Sequence, residues 1–217
     1  MKKGLTELVF ILDRSGSMGG LEADTIGGYN AMLEKQKAVE GECHLTTALF
    51  SHTCKLLHDR IDIRAVGPIS GREYSVGGST ALLDAIGETI QKIGNAQKHT
   101  AVDYRAEKVM FVIITDGEEN ASRIYSSEQV KGMIAHQKTR YGWEFIFLGA
   151  NIDAVETASR FGIGADRASN YHADSAGVKL NYRVMSDAIA RFRECDALPA
   201  EWNDEIQADY KQRGGKH

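Results

Sequence analysis

The sequence predicts an α/β domain with a mostly parallel, doubly wound central sheet, helices on both faces and one antiparallel edge strand. Two observations carry this. Short continuous apolar runs, of the kind buried on both faces of a parallel sheet, alternate with segments of helical periodicity along the 217 residues. Two further strand-like runs follow each other without a helix between them, so one pair must form a hairpin. Strands interleaved with helices place ligand sites outside the carboxyl ends of the strands.

The elements follow in order. Residues 7–12 are a continuous apolar run and form the first strand. Over residues 21–39, Ile26, Tyr29, Met32, Leu33 and Val39 recur mostly at three- and four-residue intervals, a helix with one side toward the sheet. Residues 44–50 and 54–61, joined by Ser51, His52 and Thr53, are the hairpin. A loop over residues 67–79, with Pro68 and the pair Gly77-Gly78, enters at Thr80 a helix over 81–93. Residues 108–114 are a strand ending in Thr115-Asp116-Gly117, and 127–139 the next helix. A strand over 143–148, a short helix over 152–161, a strand over 168–172 and a helix over 176–192 complete the alternation. Residues 1–192 are read as one domain and 193–217 as a C-terminal tail, a short helix with Trp202, Ile206 and Tyr210 followed by a disordered end.

Composition restricts function. Hydrophobic residues at 42%, charged residues at 26% and a net charge of -4 are ordinary globular values and show no bias toward nucleic acid or anionic membrane. No apolar stretch reaches the roughly 18 residues a membrane span needs, so direct membrane insertion is not expected. The apolar run near the N-terminus is too short for a signal-peptide core and leads into Asp13-Arg14, which predicts a cytoplasmic protein. Cys43, Cys54 and Cys195 cannot all pair within the chain and are expected to be reduced.

The chemistry concentrates at Asp13-Arg14-Ser15-Gly16-Ser17, where oxygen-bearing side chains alternate directly after a buried strand. If the backbone curls there, all three face one spot. Carboxylate and hydroxyl oxygens without thiolate or imidazole favour a hard cation, Mg²⁺, Mn²⁺ or Ca²⁺, over zinc. Those five residues alone fit a helix N-cap and turn equally well, because capping uses the same residue types. Thr80 and Asp116 shift the balance: this topology returns both to the same sheet edge as Asp13.

These residues resemble the von Willebrand factor A family, whose metal-ion-dependent adhesion site, or MIDAS, combines an Asp-x-Ser-x-Ser motif, a separate Thr and a separate Asp. Here the parts are Asp13-x-Ser15-x-Ser17, Thr80 within GGSTALLDAI and Asp116 within VIITDGEEN. The resemblance covers about residues 5–192 and is greatest to small stand-alone bacterial members. It implies a three-layer Rossmann-like fold. It also implies that Ser15, Ser17 and Thr80 contact a divalent ion directly or nearly so, and that Asp13 and Asp116 bind it partly through water. One coordination position would stay open for an Asp or Glu of a protein partner. A non-enzymatic interaction module follows; the alternative is a Mg²⁺-dependent phosphotransferase or phosphatase, since paired aspartates with Mg²⁺ also serve phosphoryl transfer. Against that alternative, the haloacid-dehalogenase type carries a second Asp two residues after its nucleophile, where this chain has Ser15.

Other features read as ordinary. Glu118 and Glu119 are expected to be solvated, and Arg14 to lie at the surface. Ser79 is a loop neighbour of Thr80. Cys43, His44, His52 and Cys54 lack zinc-ligand spacing, and Gly162-Ile-Gly164 is a helix-terminating turn, not a dinucleotide fingerprint. The stripe through Trp202, Ile206 and Tyr210 is read as packing on its own domain.

Overall fold

The computed structural model describes residues 1–195 and 197–215. Its centre is β1 (Lys2–Asp13), apolar on both faces: Leu8, Phe10 and Leu12 point to one side, and Leu5, Val9 and Ile11 to the other. β1 pairs in parallel with β2 (Glu42–Phe50) and β4 (Ala106–Thr115); β4 continues to β5 (Glu144–Gly149) and β6 (Ala168–Asn170), also in parallel. β3 (Cys54–Asp62) pairs antiparallel with β2, giving a six-stranded sheet of order β3-β2-β1-β4-β5-β6. The predicted fold class is the one observed, including the antiparallel edge.

The two faces carry separate cores. On one lie α1 (Glu22–Ala38) and α5 (Ser175–Cys195), through Tyr29, Met32, Leu33, Tyr182, Met185 and Ile189. On the other lie α2 (Leu82–His99), α3 (Ser127–Tyr141) and α4 (Ala154–Arg160), through Ile86, Ile90, Ile93, Val130, Ile134 and Ala158. α3 has a capping box of Ser126 and Gln129 and ends at Gly142 with φ 66°. α1 leaves β1 on one face and α3 leaves β4 on the other, so the chain diverges between the carboxyl ends of β1 and β4. That is the crevice such sheets use for ligands.

Several sequence boundaries moved: β1 begins at Lys2 rather than 7, and β6 ends at Asn170 rather than 172. α2 runs to His99, past the expected 93, because Gly94, Asn95 and Gln97 interrupt the apolar stripe without breaking the helix. α5 runs to Cys195, so the boundary at 192 falls inside a helix. Beyond it, Leu198, Trp202 and Ile206 join the core of the α1 and α5 face. The Trp202 indole N–H donates to the Asp166 carbonyl at 2.8 Å and the Asn203 amide to that of Ala168 at 3.0 Å. α6 (Asp204–Gln212) is therefore seated on the domain. Of the end expected to be disordered, residues 216–217 lie outside the described residues.

Candidate metal centre

The sheet edge at β1 and β4 brings the five predicted residues together. Asp13 ends β1 and Asp116 follows β4. Between β1 and α1 the chain curls into a 3-10 turn, Gly16–Met18, which returns Ser15 and Ser17 over the strand end. Ser15 N–H donates to Asp13 Oδ1 at 2.7 Å, the two serine hydroxyls lie 2.9 Å apart, and Ser17 Oγ donates to Asp116 Oδ1 at 2.6 Å. Thr80 comes from the loop before α2. A methyl group placed on Gly117 would stand 3.1 Å from Ser17 Oγ and 3.2 Å from Thr80 Oγ1, so both hydroxyls converge on the residue after Asp116.

Main-chain bonds hold the three segments in place. Gly16 N–H donates to the Gly78 carbonyl and Gly77 N–H to that of Arg14, both at 2.9 Å. Gly78 has φ 84°, and a side chain there would meet His52 Nδ1 at 2.7 Å, so this close approach requires glycine. Ala81 N–H donates to Ser51 at 2.8 Å, and Arg14 N–H to Phe50 at 2.8 Å, tying the site to the β2–β3 hairpin.

Four residues outside the predicted set support the site. The Thr115 hydroxyl donates to Asp13 Oδ2 at 2.6 Å, so both oxygens of that carboxylate have a fixed partner. The Tyr74 hydroxyl, buried, donates to the Asp13 carbonyl at 2.6 Å. Asn120 brackets Thr80: its Oδ1 accepts from Thr80 N–H at 2.9 Å and its N–H donates to the Thr80 carbonyl at 3.0 Å. Glu119 was expected to be solvated, but it accepts from the N–H groups of Leu83, Ala121 and Ser122 and from the Ser122 hydroxyl. The free N–H groups at the start of α2 explain this, because a carboxylate satisfies them and suits the helix dipole. Glu118 is exposed, as expected. Only Thr115 gave any local signal, its place directly before Asp116.

The electrostatics of the site are unbalanced. Asp13 and Asp116 are 1% and 2% exposed. Burial lifts the Asp13 carboxyl above its ordinary range, against the hydrogen bonds from Thr115 and Ser15. Burial also lifts Asp116 to about 6, helped by the charge of Asp13 and opposed by the Ser17 hydroxyl. Asp116 Oδ2 is buried without a hydrogen-bond partner. A buried carboxylate oxygen left unpaired costs several kcal/mol on the order of a lost charged hydrogen bond or more; a cation seated among these oxygens removes that cost. The residues present thus fit a hard divalent ion. Ser17 is exposed, so the set opens to solvent on that side. Cys43, Cys54 and Cys195 are free thiols, and the described residues hold no cluster of three His, Cys, Asp or Glu side chains that would suit zinc.

Solved structures share this architecture. A von Willebrand factor type A protein from Catenulispora acidiphila matches with TM-score 0.56 at 14% identity, over 84% of this chain and 42% of that one. Proximal thread matrix protein 1 from the mussel byssus, with a zinc-occupied MIDAS motif, matches with TM-score 0.58 at 12% identity, over 85% and 46%. The manganese-loaded TRAP protein of Plasmodium vivax matches with TM-score 0.56 at 17% identity, over 83% and 72%. This chain spans less than half the length of the first two. No protein-family model and no curated protein matches the sequence. The likeness at these identities is one of fold: the chain has a von Willebrand factor A-type fold.

Proposed function

We propose that this chain is a metal-dependent protein-interaction module. Ser15, Ser17, Thr80, Asp13 and Asp116 would hold one divalent cation, with Mg²⁺ expected ahead of Mn²⁺ or Ca²⁺, and a partner would supply an Asp or Glu to it. The observation that carries this reading is the buried, unpartnered Oδ2 of Asp116 beside three gathered hydroxyls. All are hard oxygen donors, and two carboxylates with neutral hydroxyls leave a bound ion electrophilic. When bound, the ion supplies a Lewis-acidic position that takes a carboxylate oxygen. The chain's own residues do the rest: Thr115 and Ser15 N–H orient the Asp13 carboxylate, Asn120 fixes the backbone of Thr80, and the exposed Ser17 marks the side from which a partner approaches. A zinc-occupied MIDAS motif in one protein of this fold and manganese in another support a divalent metal here.

The test is retention of a partner from extract on immobilised protein in Mg²⁺ and in EDTA, followed by Asp and Glu substitution across the partner identified. A partner should be held only with divalent metal, should be lost with Thr80→Ala, and should depend on one carboxylate. Equal retention in excess EDTA contradicts the proposal. Mg²⁺-dependent hydrolysis of p-nitrophenyl phosphate that Asp13→Asn abolishes would establish phosphoryl transfer instead; none is expected.

A further inference from the structure

A second surface lies at the opposite end of the sheet. Between α2 and α3, below the amino ends of β4 and β5, is a cleft of about 600 Å³, a size within the range of specific binding sites. Its floor is apolar: Ile90, Val109 and Trp143, the last stacked on Phe111 at 5.5 Å. Gly94 and the half-buried Met133 form the walls, and the absent side chain at Gly94 keeps the groove open.

Two features tell what the cleft would accept. Large exposed hydrophobic side chains are few among the described residues. Val102, 56% exposed, and Tyr141, 57% exposed, both line this cleft, and Tyr104, 68% exposed, lies in the same turn as Val102. Such a patch marks an interaction surface. Tyr104, close to Val102 in sequence, adds an exposed aromatic ring outside the cleft lining.

The rim is cationic although the whole chain carries -4. Lys98, Arg105 and Arg140 line it. Lys98 and Arg140 make no ion pair among the described residues, whereas Arg105 spends donors on the carbonyls of Thr100 and Lys98. The acidic residue in the lining, Glu107, has an oxygen engaged by Gly4 N–H. Gln137, half-buried, lines the cleft between Gly94 and Arg140.

We infer that this cleft docks a peptide segment of a protein partner, with an aromatic or large aliphatic anchor on Trp143 and flanking Asp or Glu residues against Lys98 and Arg140. The anchor buries apolar surface, and the flanking acids meet the unpaired cations. The metal centre lies at the carboxyl ends of the strands and this cleft at their amino ends. The domain can then hold one partner at each pole, and the second contact needs no metal.

A phage-displayed library of random peptides of about twelve residues, panned in EDTA on the wild-type protein and in parallel on Lys98→Glu/Arg140→Glu, tests this directly. Peptides with an apolar anchor flanked by Asp or Glu should be enriched on the wild type alone. Synthetic copies should bind about tenfold or more weakly to the charge-reversed protein, and similarly to Gly94→Met, which plugs the groove. Methionine has a higher helix propensity than glycine, so a melt of Gly94→Met no lower than the wild type's separates blocking from unfolding. Hydrogen exchange should show protection at the end of α3, and Asp116→Ala should bind the peptides normally. Failure of metal binding at Asp116 therefore leaves this inference untouched. It is overturned if no acidic-apolar consensus emerges, if binding survives both variants, or if enriched peptides require divalent metal. Binding of a small anionic aromatic dye in the cleft without any enriched peptide also overturns it, in favour of a small-molecule pocket.

Discussion

At the scale of single residues, the site is decided by partners that local sequence does not display. Asp13, Ser15 and Ser17 are legible as oxygen donors at alternate positions after a buried strand, and Thr80 and Asp116 become legible only through the predicted topology and the three-part family motif. Thr115, Tyr74, Asn120 and Glu119 are not: each acts on another part of the site through a bond that exists only once the sheet and loops have closed. Thr115→Val keeps the volume near constant but frees one oxygen of Asp13, so Mg²⁺ affinity measured by calorimetry should fall about 10- to 100-fold, the usual cost of losing an outer partner of a ligand; unchanged affinity would show that Asp13 needs no orientation. A further buried carboxylate, Glu7, lies midway along β1. A bulge in β3 turns Arg60, at φ 50°, so that its Nε donates to Glu7 Oε2 at 2.8 Å, while Oε1 has no partner. Burial raises the Glu7 carboxyl above its ordinary 4.5, with Arg60 opposing. A raised folded pKa contributes stability that is fully present below the unfolded value and is lost as pH rises through the folded one. In EDTA, the stability of the wild type relative to Glu7→Gln should therefore decline as pH rises above about 4.5, read by urea denaturation at successive pH values. A difference that grows with pH would reverse the sign assigned to Glu7.

At the scale of elements, periodicity located every strand and helix in order, because each has a face that must be buried. It located ends less well. α2 continues through Gly94 and Asn95, and α5 runs past 192 to Cys195, while the expected packing of Trp202 and Ile206 on the domain is observed. The contact between α1 and α5 shows the same limit at two adjacent glycines. A methyl group on Gly28 would meet the Tyr182 ring at 2.5 Å, whereas one on Gly27 meets nothing within 4 Å. Gly27→Ala should stabilise by roughly 0.5–1 kcal/mol through helix propensity. Gly28→Ala should destabilise by about 1–3 kcal/mol, because the helices cannot separate without loosening the core. Thermal melts of the two variants should move in opposite directions; parallel shifts would mean that α1 and α5 are not in close register at Gly28. Nothing in the one-dimensional pattern separates these neighbours.

At the scale of the whole molecule, one sheet presents two different ends. Three loops meet at the carboxyl ends of β1 and β4 around two buried aspartates, and at the amino ends lies an apolar cleft with a basic rim. The first end follows from topology and motif together, so the sequence could indicate it. The second is assembled from the ends of α2, α3 and β4, and no motif marks it. No helix among the described residues is long and apolar enough to cross a membrane. The proposed module depends first on the ion. Isothermal titration of the metal-free protein with Mg²⁺ and with Mn²⁺ at neutral pH tests this most directly, alongside Asp116→Ala and Thr80→Ala variants verified as folded by circular dichroism. The account predicts one ion per chain for the wild type, and loss of binding in both variants. Wild-type protein that takes up no divalent ion, or variants that bind it as well as the wild type, would contradict it.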